Sequence, residues 1–200
     1  MIRRAGVVLG LIAVFAGCSK KDAGTTDTGM AMTTDTGAVA QMADTGMAPA
    51  PGLTDPNIVY ILDNANKLDS AAGSIASTKG TNAEVRDFGK RMMRDHHSLR
   101  QQGQELATKL GVTPAPPAND DSQAQYDKTM SMLNGAAKGK DFDKAYIDNE
   151  VAYHKAVNAA LKDTLIPSAS NAELKDLLGV ALKIFEGHLQ HAEHIAASLK

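Results

Sequence analysis

Two hundred residues, 43% of them hydrophobic, leave room for one globular domain of ordinary size with segments to spare. The 21 Lys and Arg stand against 23 Asp and Glu, with no Trp and only 4% aromatic residues; neither excess positive charge nor base stacking supports a nucleic-acid partner. The single Cys excludes an internal disulfide, so packing must hold the fold.

The chain opens with Arg3 and Arg4 followed by an apolar run, Ala5 to Ala16 (AGVVLGLIAVFA). That run is too short to cross a hydrocarbon core of roughly 30 Å as a helix. Residues 1–17 read as an export signal. Phe15-Ala16-Gly17-Cys18 resembles the lipobox of bacterial lipoproteins, with Phe15 where leucine is usual. The resemblance implies that Cys18 is lipidated and that the protein is anchored to a membrane rather than spanning it. Ser19 stands where an aspartate would signal inner-membrane retention, which implies an exported protein on the outer membrane, facing the periplasm. Residues 18–52 repeat Asp-Thr-Gly at 27, 35 and 44 and carry few large apolar side chains besides Met. Such a stretch cannot offset its ordering entropy by burial, and its aspartates are too loosely spaced for a calcium loop. It is expected to be a tether with a reach of roughly 30 Å.

From Leu53 onward the period is helical, and residues 53–200 form the expected domain. Thr54 or Asp55 can cap a first helix with Pro56 in its opening turn. Ile58, Ile61/Leu62, Ala65, Leu68, Ala72 and Ile75/Ala76 then recur at three- and four-residue steps until Gly80. Thr81-Asn82-Ala83-Glu84 has the spacing of a capping box and opens a second helix with the row Val85, Phe88, Met92, His96, Leu99, Gly103, Leu106 and Leu110, stopped by Gly111. A proline-rich loop, GVTPAPPAND, follows and cannot continue the helix. A short third segment runs from Ser122 to Leu133. Asp141 can cap the next long helix, with Phe142, Tyr146, Ile147, Val151, Tyr153, Val157 and Leu161 as its buried side and Pro167 as its end. Ser170-Asn171-Ala172-Glu173 repeats the capping-box spacing before a last helix carrying Leu174, Leu177, Ala181, Ile184, His188, His191 and Ile195. With no strand expected, the fold class is all-α: four long helices in a bundle, with a short extra helix in the long second-to-third connection. Glycines at 73, 89, 103, 179 and 187 each cost a helix about 1 kcal/mol relative to alanine, which close helix contact could offset.

Histidine and acid side chains interrupt these apolar rows. His96 takes a core position with Asp95 beside it, and Asp69 lies next to the line of Ala65 and Ala72. Glu150 and His154 are four apart and share a face, as do His188 and His191 at three apart. His97 and His194 are expected at the surface. Buried ionisable groups must meet one another, a water or a metal. The residues alone favour a satisfied polar network over a transition-metal site, with another bound ligand as a third reading. For a metal, the ligands would be His96, Glu150, His154, His188, Asp69 and Asp95, with His191 as a further candidate. Two Glu-x-x-His motifs, the di-iron pattern, are absent: Glu150 to His154 is one residue too long. Rise along the helices also sets Asp69 about one turn away from the level of His96.

Phe88-x-x-x-Met92-x-x-Asp95-His96, Phe142-Asp143-x-x-Tyr146, Glu150-x-x-x-His154 and His188-x-x-x-Ala192 occur in that order. Together, over residues 54–199, they resemble a large bacterial envelope family catalogued as a domain of unknown function. The resemblance implies a ferritin-like bundle and supplies no agreed activity. His96, His154 and His188 match that family's histidines, Asp69 stands where glutamate is usual, and Glu150 falls where an aspartate just before the histidine is commoner. The Met-x-x-x-His-His run from Met92/Met93 to His97 is similar to a second helical envelope family linked to metal handling. The leading function is a non-enzymatic, lipid-anchored binding or stress-related role with an unidentified partner. The alternative is metal binding (iron, copper or zinc), extending to oxidase activity. No hydrolase motif is present.

Overall fold

The computed structural model describes residues 52–199. The expected signal, Cys18 and the tether as far as Pro51 lie outside the described residues. The elements are α1 (Asp55–Lys79), α2 (Ala83–Leu110), α3 (Ser122–Gly135), α4 (Lys140–Ala160), a π-helical turn (Leu161–Leu165), the single-turn α5 (Ile166–Ser168) and α6 (Ala172–Ser198), with no strand among the described residues. No helix among them is long and apolar enough to cross a membrane.

The helix starts depart from the expected capping boxes in one consistent way. Asn82 and Asn171, not Thr81 and Ser170, are the N-caps, accepting from the backbone N–H of Glu84 and Leu174. The preceding hydroxyl residues are held from elsewhere. Asp143 of α4 accepts from the backbone N–H groups of Thr81 and Asn82, each at 2.8 Å, and from the Thr81 hydroxyl. Asp55 of α1 accepts from the Ser170 N–H at 2.8 Å, the Ser170 hydroxyl at 2.6 Å and the Asn171 N–H at 3.1 Å. The same clasp is thus built twice. It joins the start of α1 to the start of α6 and the start of α4 to the start of α2, so α1 and α6 run one way and α2 and α4 the other.

The connection from α2 to α4 travels back along α1. Near its beginning the Ala115 N–H donates to Pro56 O, and the Asn57 side chain donates to Ala115 O and Pro116 O. Near its end the Lys79 ammonium donates to Leu133 O at 2.7 Å and Asn134 O at 2.8 Å. α3 packs on α1, while α1 pairs with α2 and α4 with α6.

Two of the five glycines allow a close helix crossing. A Cβ at Gly73 would stand 2.6 Å from Gly89 O, and one at Gly89 would stand 2.7 Å from Gly73 O. Gly179 and Gly187 have nothing within 4 Å of that position, so close contact does not explain them. The helical run ends at Ser168, within one residue of the expected stop at Pro167, but α4 gives way at Ala160 to the π-helical turn. The Ile166 N–H reaches back five residues to Leu161 O, and the widened turn makes room for the proline ring, which clashes with regular α geometry.

The core divides into two apolar halves. One contains Ile58, Leu62, Leu99, Leu161, Leu165, Leu174, Leu178 and Phe185; the other contains Ala72, Ala76, Val85, Phe88, Met92, Leu133, Phe142, Tyr146, Ala192 and Ile195. Each fully buried Leu or Phe contributes about 1.5–3 kcal/mol. Along α1, α2 and α6 the two halves are separated by about two turns, and after Ile147 of α4 by about four, up to Leu161; those turns carry the polar residues.

Candidate metal centre

Into the layer between the apolar halves α1 sends Asn66 and Asp69, α2 sends His96, α4 sends Glu150 and His154, and α6 sends His188, all buried. Asp95 of α2 closes the group at its edge, with 27% of its side chain exposed. The structure therefore brings the six nominated residues to one place. Asp69 is closer than helix rise predicts: its Oδ2 lies 3.6 Å from His96 Nε2. Side chains lean towards the N-terminus of their own helix. Because α1 and α2 are antiparallel, these two lean towards each other and close the gap.

Each imidazole has one nitrogen committed to an oxygen whose role is fixed, and this assigns its tautomer. Asn66 Nδ2 donates to Leu62 O at 2.7 Å, which orients the amide and leaves Oδ1 to accept. His96 Nδ1, 2.8 Å from that Oδ1, therefore carries the hydrogen. His154 Nδ1 donates to Glu150 O at 2.9 Å, and His188 Nε2 donates to the Asp95 carboxylate at 3.0 Å. A neutral imidazole has one N–H, so the lone pairs are left on His96 Nε2, His154 Nε2 and His188 Nδ1. His188 Nδ1 is 3.1 Å from His96 Nε2, and His154 Nε2 has no partner. One nitrogen from each ring lies within 4.8 Å of the others.

Two lone pairs at 3.1 Å repel unless a proton or a cation lies between them. Protonation is opposed at every ring. Burial, then the neighbouring His188 and His154, holds His96 well below the usual range. Burial, reinforced by His188, pushes His154 down to about 3. Burial also lowers His188, against the opposing pull of Asp95.

The acids are equally strained. Asp69 is raised well above the carboxylate range by burial and then by Glu150, and burial pushes Glu150 up to about 8. Asp69 Oδ2 and both Glu150 carboxylate oxygens lack a hydrogen-bond partner. Asp69 and Glu150 form a second close group with His154. Each such group would cost about 1–3 kcal/mol if left unsatisfied, so these atoms call for a proton, a water or an ion beside the hydrogen bonds the cluster already makes. Three inward lone pairs beside partnerless carboxyl oxygens are a donor set that suits iron, copper or zinc. The outward N–H groups, each held by a carboxylate, carbonyl or amide oxygen, match how ligating histidines are oriented. The residues fit a transition-metal ion.

The remaining histidines lie elsewhere. His191 is half-buried one turn farther along α6, and His97 and His194 are exposed. Sequence reasoning missed Asn66, which stands three residues before Asp69 and four after Leu62. Its place in an apolar row was the available signal. It also missed Asn158, one turn beyond His154, whose Oδ1 is buried without a partner, and the orphaned Tyr146 hydroxyl. The expected Val151, Tyr153 and Val157 are only half-buried, because α4 turns Glu150, His154 and Asn158 inward instead.

These features define an all-helical protein with a histidine and carboxylate cluster at its centre. The chain belongs to the family described as a domain of unknown function, DUF4142, whose profile matches residues 26–195. That match begins within the segment read as a tether. No curated protein matches the chain. Among solved structures, CopM in the Cu(II)-bound form is similar in fold, with a TM-score of 0.56 and 12% identity over 73% of this chain and 98% of that one.

Proposed function

We propose that this protein binds a transition-metal ion at the centre of a ferritin-like four-helix bundle, in a non-enzymatic binding or stress-related role at the cell envelope. The observation that carries this reading is the convergence of one nitrogen from each of three imidazoles, His96 Nε2, His154 Nε2 and His188 Nδ1, within 4.8 Å of one another, while the other nitrogen of each ring is held by an oxygen. Asp69 and Glu150 would add negative charge beside the ion, and Asn66 and Asp95 would hold the rings in register. The ferritin-like assignment draws support from the paired helix directions and the long connection lying along α1. Copper, expected beside iron and zinc, draws support from the fold shared with CopM in its Cu(II)-bound form. Attachment through a lipidated Cys18, a tether over residues 18–52 and an outer-membrane location facing the periplasm complete the proposal, resting on the lipobox resemblance.

The test is elemental analysis of the untagged protein purified without an affinity metal, beside a His96→Ala/His188→Ala double variant. Near-stoichiometric metal that disappears in the variant is the expected result. Metal-free protein that takes up no iron, copper or zinc on titration would refute it. Mass spectrometry of the membrane fraction, with and without Cys18→Ser, tests the anchor.

A further inference from the structure

We infer that the seam between α2 and α6 is the route by which the ion reaches the centre, with His191 as an outer relay and the Asp95–His188 bond as its latch. The inference rests on the metal reading above and concerns how the same site is filled. The three imidazoles differ in what holds them. His96 is tied to the Asn66 amide and His154 to the Glu150 carbonyl, and all of these residues are fully buried. His188 is tied instead to Asp95, whose side chain is 27% exposed and whose Oδ1 also accepts from Arg94 Nε at 3.1 Å. Of the three rings, His188 is the one whose supporting bond reaches solvent.

One turn out from it, on the same face of α6, His191 presents a buried Nδ1 with no hydrogen-bond partner. Phe88 stands edge-on to both rings, its centroid 5.2 Å from His191 and 6.3 Å from His188, and forms an apolar wall along the step between them. Arg91 faces His188 and His191, while Glu84 and His194 face His191. A cation at His191 therefore has one ring nitrogen for a ligand, with the Glu84 carboxylate drawing it and the Arg91 guanidinium opposing it. That is enough to pause an ion and too little to keep it. Passage inward requires His188 to swing off Asp95, exchange its lone pair from the relay position to the centre, and re-form the bond behind the ion.

Relay and latch have opposite kinetic signatures. The probe is Zn(II), added to metal-free full-length protein and then removed by a chromophoric chelator, both steps followed by stopped flow. His191→Ala should slow loading and release together, by about tenfold, the rate equivalent of 1.4 kcal/mol of barrier, at unchanged stoichiometry and Kd. Asp95→Asn keeps an acceptor for His188 but weakens the latch, and should speed release by about tenfold. His97→Ala, an exposed neighbour on α2, should exchange at the wild-type rate; circular dichroism checks that each variant is folded. A wild-type chain that takes up no Zn(II) overturns the metal reading and this inference with it. A wild type that loads one ion, with both variants exchanging at its rates, overturns the route alone. So does a His191→Ala variant that loses stoichiometry, since His191 would then be a ligand of the centre.

Discussion

Glu150 gives the most direct test of a centre strained when empty. Its carboxyl is fully buried, its two oxygens have no partner, and burial pushes it up from 4.5 to about 8. The folded chain therefore keeps a proton there that the unfolded chain releases, and metal-free stability must fall as pH rises from about 4.5 through 8. The histidines act oppositely. His154, pushed down to about 3, costs stability as pH falls below the ordinary histidine value of about 6.5 and adds nothing above it. Between pH 6.5 and 8 the acids act alone within the cluster. With each pKa unit worth 1.36 kcal/mol, Glu150 should remove about 2 kcal/mol over that window, and Asp69, also raised, should add to the loss. Urea unfolding in EDTA should show the midpoint dropping by about 1 M, given a slope of 1–3 kcal/mol per molar urea. Glu150→Gln, which cannot ionise, should keep the fold and flatten the decline by its share. Saturating Zn(II) should reverse the slope, because bound metal favours the deprotonated acids. Metal-free stability that is flat or rising from pH 6.5 to 8 in the wild type would refute the reasoning.

Other substitutions probe the scaffold and the ring supports. Asp143→Ala removes the buried acceptor of the Thr81 and Asn82 N–H groups at a part-buried clasp and should cost about 1–3 kcal/mol in thermal or chemical unfolding. Gly89→Ala would set a methyl 2.7 Å from Gly73 O and 2.9 Å from Ser77 N, so it should destabilise by about 1–3 kcal/mol despite better helix propensity. Gly187→Ala meets nothing within 4 Å and should stabilise by up to about 1 kcal/mol; the opposite signs, read in one melting series, isolate the crossing. Asn66→Leu releases the His96 tautomer and should weaken Zn(II) binding by about 10- to 100-fold, measured by chelator competition.

Periodicity alone located the helices, because apolar residues at three- and four-residue steps are what buried helical faces require. The same rule placed His96 and His188 inward, since each fills a slot that a Leu or Phe would otherwise take. It faltered where a polar side chain carried the face. On α4 the expected Phe142, Tyr146 and Ile147 are buried, as are the nominated Glu150 and His154, but Val151, Tyr153 and Val157 are half-buried and the unexpected Asn158 is inward. Hydrophobicity scoring gives no weight to an asparagine, so the last turn of that face escaped it. The caps failed for a different reason: Thr81 and Ser170 have the local spacing to cap, but Asp143 and Asp55 lie 62 and 115 residues away in sequence and claim them first. Ring tautomers were beyond reach for the same reason, being set by contacts such as Asn66 on His96 across two helices.

The two clasps bear on why such a centre can exist. Four helices contribute the candidate donors, so no pair of them, and no local turn of the unfolded chain, carries the full set. The ligands converge only when α1 aligns with α6 and α2 with α4, and those alignments are fixed by Asp55 and Asp143 at the ends of the domain, away from the buried cluster. The apolar halves on either side supply the cohesion, and the polar layer between them subtracts from it. On the metal reading, folding without the ion leaves inward lone pairs and buried acids in place, and folding with it would convert the same groups into ligands. An ion that binds only this arrangement adds RT ln(1 + [L]/Kd), about 4 kcal/mol at a thousandfold excess over Kd. The gap between metal-free and metal-bound stability therefore measures how far the scaffold prepays the assembly of the site, and weakening a clasp should lower the metal-free state and the apparent affinity together.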